Sequence, residues 1–257
     1  MSHFQGPLPA NLLLRQLYER ESCTFTYLLA DKTTKHAVLI DPVDLTAERD
    51  LSQIDDLGLT LTAAFNTHMH ADHITGTALL KTARPAVKSI ISRASTADAD
   101  VHLDDGDITP FGEGSPFGLK AISTPGHTVG CLSYALTENG EVVSGGAVFT
   151  GDTVLIRGCG RTDFQGGSAA DLFDAVHSKI FSFDPSTALY PGHDYKGRSV
   201  STVGEELAHN LRLNKPKEEF IELMANLGLA HPKKIDVAVP ANKVDGFVDK
   251  LEAAEEK

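Results

Sequence analysis

The sequence predicts an α/β protein, α+β in its finer division, and three observations carry that prediction. Short β-rich runs alternate with segments whose apolar residues recur at helical spacing. The polar residues best suited to chemistry fall where predicted strands run out, which is where an α/β fold gathers distant residues at one edge of its sheets. The chain has 257 residues, 41% of them hydrophobic, enough for one large domain with a substantial core.

Taken in order, residues 22–29 contain the strand-like run CTFTYLL, and 37–40 supply its partner, ending at Asp41-Pro42. Residues 46–57 read as a helix, with Leu45, Leu51, Ile54 and Leu57 on one face and Gly58 as a stop. A buried strand over 61–65 is followed by a histidine-rich loop and a helix over 75–82. Residues 89–92 and 119–123 are further strands, and the acidic, glycine-rich segment 104–118 between them reads as loop and hairpin. Strands over 131–136 and 142–150, a helix over 169–180 and a short strand over 188–190 follow. Helices over 205–211 and 217–227 and a charged tail from Ala241 complete the chain. It contains no repeat or low-complexity linker, so the expectation is a single domain over 1–257 with a helical C-terminal extension from about residue 200.

The loop Thr67-His68-Met69-His70-Ala71-Asp72-His73 packs three imidazoles and a carboxylate between a strand and a helix. Turns favour Gly, Asn, Asp and Ser rather than repeated histidine. Imidazole nitrogen and carboxylate oxygen are the usual ligands of zinc and non-haem iron. Three more strand ends present His127 in a Pro-Gly turn, Asp152 after Gly151, and His193 in Pro191-Gly192-His193-Asp194-Tyr195. From residue types alone, a two-metal hydrolase would be complete: His68, His70 and His127 on one ion, Asp72, His73 and His193 on the other, and Asp152 bridging.

A net charge of -12 argues against nucleic acid and against an acidic membrane surface as partners. Cys23, Cys131 and Cys159 are too few and too widely spaced for a disulfide framework, which fits a reducing compartment. No run approaches the roughly 18 apolar residues that span a bilayer, and the N-terminus shows no secretory or mitochondrial presequence. The expected location is a bacterial-type cytoplasm or the mitochondrial matrix.

THMHADH, TPGHT, TGD and PGHDY, in this order, resemble the metallo-β-lactamase superfamily. The resemblance covers about residues 12–240 and implies an αββα sandwich with a metal at one edge of two facing sheets. The block NTHMHADHITG, the run LIRGCGRTDFQ after TGD, YPGHDYKG followed by STVGEE, and the late IDVAVPAN are similar to the persulfide dioxygenases within it. That likeness implies one Fe(II) per subunit, held by His68, His127 and Asp152. This is the 2-His-1-carboxylate arrangement, whose open positions take O2 beside a substrate sulfur. His70, Asp72, His73 and His193 would then orient ligands and hold water by hydrogen bonds.

The implied substrates are glutathione persulfide and O2, the implied state a homodimer, and a sulfurtransferase of the rhodanese type an expected partner in the same pathway. His193 and Tyr195 are the residues placed to act at the reacting centre. Tyr195 fits either contact with substrate or simple closure of its loop. For the carboxylates of glutathione the candidate cations are Arg161 and Arg212, with Arg157, Lys196 and Arg198 nearby. Arg161 fits either a substrate contact or a structural ion pair. The alternative within the superfamily is a glyoxalase II-like hydroxyacylglutathione hydrolase with two metals, against which stands the short tail after His193.

Overall fold

The computed structural model of the protein describes residues 8–249, so the stretch searched for a presequence is seen only from residue 8, and residues 250–257 of the charged tail lie outside it. One sheet runs β1 (Leu12–Tyr18), β2 (Phe25–Asp31), β3 (His36–Ile40), β4 (Thr60–Phe65), β5 (Lys88–Ser92) and β6 (Val101–Leu103) in sequence order. The first three strands pair antiparallel and the last four parallel. The second sheet is built from β7 (Ile108–Pro110), β8 (Phe117–Ser123), β9 (Leu132–Glu138), β10 (Glu141–Val142), β11 (Ala147–Gly151), β12 (Ala188–Pro191) and β13 (Ser201–Thr202). Its order is β13-β12-β11-β9-β8-β7, with β10 paired beside β9.

Period-two alternation assigns each strand's two faces to different cores. Phe25, Tyr27, Leu29, Val38, Ile40 and Phe65 point into the gap between the sheets, where they meet Leu119, Leu132, Tyr134 and Phe149. From the same strands Leu28, Ala30, Leu39 and Ala64 point outward, onto α1 (Ala47–Asp56) and α2 (Thr77–Ala83). The outer face of the second sheet packs Ala135, Val148 and Leu189 against α3 (Ala169–Ala175), α4 (Val203–His209) and α5 (Lys217–Ala225). The layers are therefore helix, sheet, sheet, helix, the αββα sandwich that the resemblance implies.

Several boundaries differ from the sequence prediction. β1 was not anticipated: it is an edge strand in which only Leu12 and Leu17 are buried, so its alternation is weak. The segment 104–118 holds the hairpin strand β7, whose Pro110 is tolerated at a sheet edge. The single strand expected over 142–150 is two, because the chain turns at Ser144-Gly145-Gly146 before rejoining the sheet. The helix over 169–180 widens in its last turn, where the Phe181 amide bonds the Val176 carbonyl at 2.8 Å. The charged tail from Ala241 is corrected most: α6 (Ile235–Lys243) extends into its first residues, and Ala241, Asn242 and Asp245 are buried.

Candidate metal centre

β4 delivers the histidine loop from the first sheet, while the turn before β9, the end of β11 and the end of β12 bring His127, Asp152 and His193 from the second. Contacts that tie the sheets together here include the Leu132 amide to the Thr67 carbonyl at 2.8 Å, the Tyr134 hydroxyl to the Asn66 carbonyl at 2.9 Å, and the bridge from Thr24 to His193. Asp41, at the end of β3, is the hinge of the arrangement. Its backbone is held at φ 52°, and its buried carboxylate accepts from the Thr67 amide at 2.7 Å and the Thr67 hydroxyl at 2.8 Å.

Those bonds decide which imidazole nitrogens face the site. A carboxylate accepts and cannot donate, so the Thr67 hydroxyl proton is spent on Asp41. Its oxygen must then accept from Nδ1–H of His68, 3.0 Å away, which leaves Nε2 of His68 with its lone pair. His127 donates Nδ1–H to the Arg161 carbonyl at 2.6 Å and likewise presents Nε2. His70 is set the opposite way. In the neutral ring Nε2–H donates to Asp41 at 3.1 Å, and Nδ1 is buried with no hydrogen-bond partner.

One ligand atom each from His68, His127 and Asp152 lie within 4.8 Å of one another, and so do one each from His70, Asp72 and His73. The second group differs from the division that residue types offer, in which Asp72 and His73 join His193. His70 takes that place, and His193 instead stands between carboxylates, with Nε2 3.6 Å from Asp72 Oδ2 and 3.6 Å from Asp152 Oδ1. Asp152 Oδ1 is itself buried without a hydrogen-bond partner, as is His73 Nε2. Buried polar atoms are rarely left unpaired. Neutral imidazoles and a carboxylate converging with lone pairs free fit a divalent metal of the iron or zinc kind.

The charge on His68 agrees with that fit, while at His70 burial is outweighed by Asp41, which raises the group above the ordinary histidine value. Burial, with His70 and His127 crowding behind it, holds His68 well below the ordinary histidine range. Burial opposes charge on His193 too, but Asp152 and Asp72 outweigh it and push the group up to about 9. Burial would raise Asp72, yet His193 and His73 hold it well below the usual carboxylate range.

Sequence reasoning missed three supports. Beyond Asp41, which it placed only at a strand end, a polar chain runs through the β1–β2 turn. Buried Glu19 accepts from the Ser22 hydroxyl at 2.6 Å, Ser22 and Thr24 hydroxyls lie 2.6 Å apart, and Thr24 Oγ1 is 3.3 Å from Nδ1 of both His73 and His193. The third is Gly160, in the Gly158-Cys159-Gly160-Arg161 turn. A Cβ there would fall 2.6 Å from the Asp152 carbonyl oxygen and 2.8 Å from His127 Nδ1, so only glycine lets this turn close over two ligand residues.

A cleft of about 800 Å³ opens onto His127, Asp152, His193 and Tyr195. Its far wall is the 229–234 segment, including Lys233 and Lys234, which the sequence did not single out. Of the candidate cations, Arg157 is engaged by Glu206 and Arg198 by Asp194. Arg161 lines the cleft but is paired with Asp163 through two 2.7 Å bonds, and it donates to the Ala230 carbonyl at 2.8 Å. Arg212 also lines it, donates to the Cys159 carbonyl at 2.8 Å, and has no carboxylate partner among the described residues. Tyr195 is 68% exposed, its ring parallel to that of His193 at 6.1 Å. Cys159 is buried against Met224, and burial pushes its thiol up to about 11 against the pull of Arg212, so it is a neutral packing group.

A sandwich of this topology with its ligand residues at the sheet edge defines a class of metalloprotein, and the metallo-beta-lactamase superfamily profile matches residues 24–193: the chain belongs to that superfamily. The chain is 51% identical over 238 residues to the mitochondrial persulfide dioxygenase ETHE1 of Homo sapiens, covering 93% of this chain and 90% of that one. It therefore belongs, within the superfamily, to the persulfide dioxygenase family. The crystal structure of ETHE1 from Myxococcus xanthus superposes with a TM-score of 0.85 at 45% identity, covering 91% of this chain and 100% of that one. A hydroxyacylglutathione hydrolase from Synechococcus is 34% identical over 175 residues, 66% of this chain and 64% of that protein. No helix among the described residues is long and apolar enough to cross a membrane.

Proposed function

We propose that this protein is a persulfide dioxygenase that converts glutathione persulfide, O2 and water into glutathione, sulfite and two protons, at a single Fe(II). The observation that carries the reading is the 51% identity to a persulfide dioxygenase across 93% of the chain. The likeness to the thioester hydrolase is lower and stops at two thirds of the chain.

In this reading His68, His127 and Asp152 would hold the iron, which would supply the redox chemistry that joins oxygen to sulfur. The protein's own groups do the rest. Asp41, through Thr67, keeps the His68 lone pair turned inward. His193, between Asp72 and Asp152, provides positive charge next to the two carboxylates. Arg212, whose charge no carboxylate among the described residues neutralises, takes a carboxylate of glutathione, and Lys233 adds positive charge to the wall of the cleft, where Lys234 is already paired with Glu21. Arg161, already committed to Asp163, shapes the cleft by anchoring the 229–230 backbone. Tyr195 flanks the entrance. A homodimer and a sulfurtransferase supplying the persulfide belong to the same proposal.

The test is metal analysis combined with oxygen uptake on glutathione persulfide, run beside hydrolysis of S-D-lactoylglutathione. One iron per chain with oxygen consumption is expected. Two zinc ions with thioester cleavage and no uptake would reverse the choice.

A further inference from the structure

The buried end of α6 reaches the metal loop. Asn242 donates from Nδ2 to the carbonyls of His70 at 2.8 Å and His73 at 2.9 Å, while its Oδ1 accepts from the Thr75 amide at 2.8 Å. The loop is neither helix nor strand here, and among the described residues no backbone group pairs with any of these three. Buried backbone groups must be satisfied somewhere, and one side-chain amide from the far end of the chain satisfies all three.

The helix end is itself held rigidly. Lys81 bridges Asp245 at 3.0 Å and Asp100 at 2.8 Å, and the Asp98 amide bonds the Lys243 carbonyl at 2.8 Å. Gly246, at φ 79°, lies so close that a Cβ would fall 2.8 Å from the Thr75 carbonyl oxygen. The amide is thus fixed to the body of the fold, and the loop carrying His68, His70, Asp72 and His73 is fixed to the amide.

We propose that Asn242 is a positioning residue for the metal centre: by gripping the loop at residues 70, 73 and 75 it sets how far the imidazoles of that loop stand from His127 and Asp152. The inference rests on the metal-centre reading given above and adds a determinant from outside the ligand loops. It gives the C-terminal helix a task in metal binding.

Cobalt(II) is the probe. Wild type, Asn242→Asp, Asn242→Ala and Lys81→Met are titrated with Co(II), following its d–d absorption and measuring affinity by chelator competition. Asn242→Asp keeps the size and the acceptor but turns the donating group into one that repels two carbonyls, so it should bind Co(II) roughly 10- to 100-fold more weakly, the range seen for groups that orient metal ligands. Its d–d bands should shift, and Asn242→Ala should lie between it and wild type. Lys81→Met, which removes one anchor of the helix but leaves the three bonds of the Asn242 amide in place, should lower the melting temperature and weaken Co(II) less than either Asn242 variant. The inference is overturned if both Asn242 variants match wild type, or if Lys81→Met weakens Co(II) as much as they do. A measurement on wild type alone decides the matter if the variants do not fold: the Thr75 amide should exchange slowly with deuterium in the metal-free protein, and fast exchange sinks the proposal. Wild type that takes up no Co(II) would instead refute the metal-centre reading.

Discussion

His193 Nε2 and Asp152 Oδ1 stand 3.6 Å apart, beyond a good hydrogen bond, although the carboxylate oxygen is buried and otherwise unpartnered. Such a spacing suits two groups that face a common centre, of which only Asp152 belongs to the His68 and His127 cluster. Asp152→Ala should abolish iron binding, while His193→Ala should retain much of it, as measured by metal content after desalting. Equal loss in both would indicate a dinuclear site.

Asp41→Asn tests the orientation of the histidines. An amide replaces one acceptor with a donor, so it cannot receive Thr67 at one oxygen while receiving both Thr67 and His70 at the other. Metal affinity should fall by roughly 10- to 100-fold with the ligands themselves intact. Chelator competition giving the wild-type constant would remove Asp41 from its role.

Gly160→Ala places a methyl group against the Asp152 backbone and the His127 ring. The expected result is a folded protein that has lost iron and oxygen uptake together. Retention of both would show that the turn can back away.

Arg212→Ala should raise the KM for glutathione persulfide more than it lowers kcat, the pattern for binding lost equally from ground and transition states. An unchanged KM would take Arg212 out of the substrate cleft.

Asp50 supplies a pH test remote from the metal. Burial pushes its carboxyl up to about 6, with Arg49 pulling the other way, and its Oδ2 has no hydrogen-bond partner. The folded pKa lies above the unfolded one, near 3.9, so the folded state holds the proton more tightly. Stability is then full at low pH and is lost as pH rises from about 4 through about 6. Two pH units correspond to about 3 kcal/mol. Asp50→Asn should accordingly be more stable than wild type at pH 7, and the advantage should vanish near pH 4, as followed by urea denaturation. A constant difference across that range would contradict it.

The clustering of the candidate ligand residues was legible because their side chains are themselves the chemistry: a His-x-His-x-Asp-His loop between strand and helix has few other uses. Asp41 was visible only as an acid at a strand end, since nothing local tells which hydroxyl it will engage. Asn242 lies 172 positions beyond His70, and only tertiary packing brings them together. α6 contains Pro240 and ends among charges, so its pattern reads as tail. Two of the nearby cations show the opposite limit: the sequence offers Arg157 and Arg198 as positive charges near the site, and the fold gives each a carboxylate.

The split of the candidate ligands between two sheets also sets the order in which they are made. During synthesis the leading sheet is complete once Leu103 has emerged, but the chain then offers His68 and lacks Asp152. The grip of Asn242 comes later still, from α6, the last helix among the described residues. A chain that stops short of Asp152 would therefore lack one of the three candidate ligands, however well its leading sheet had formed.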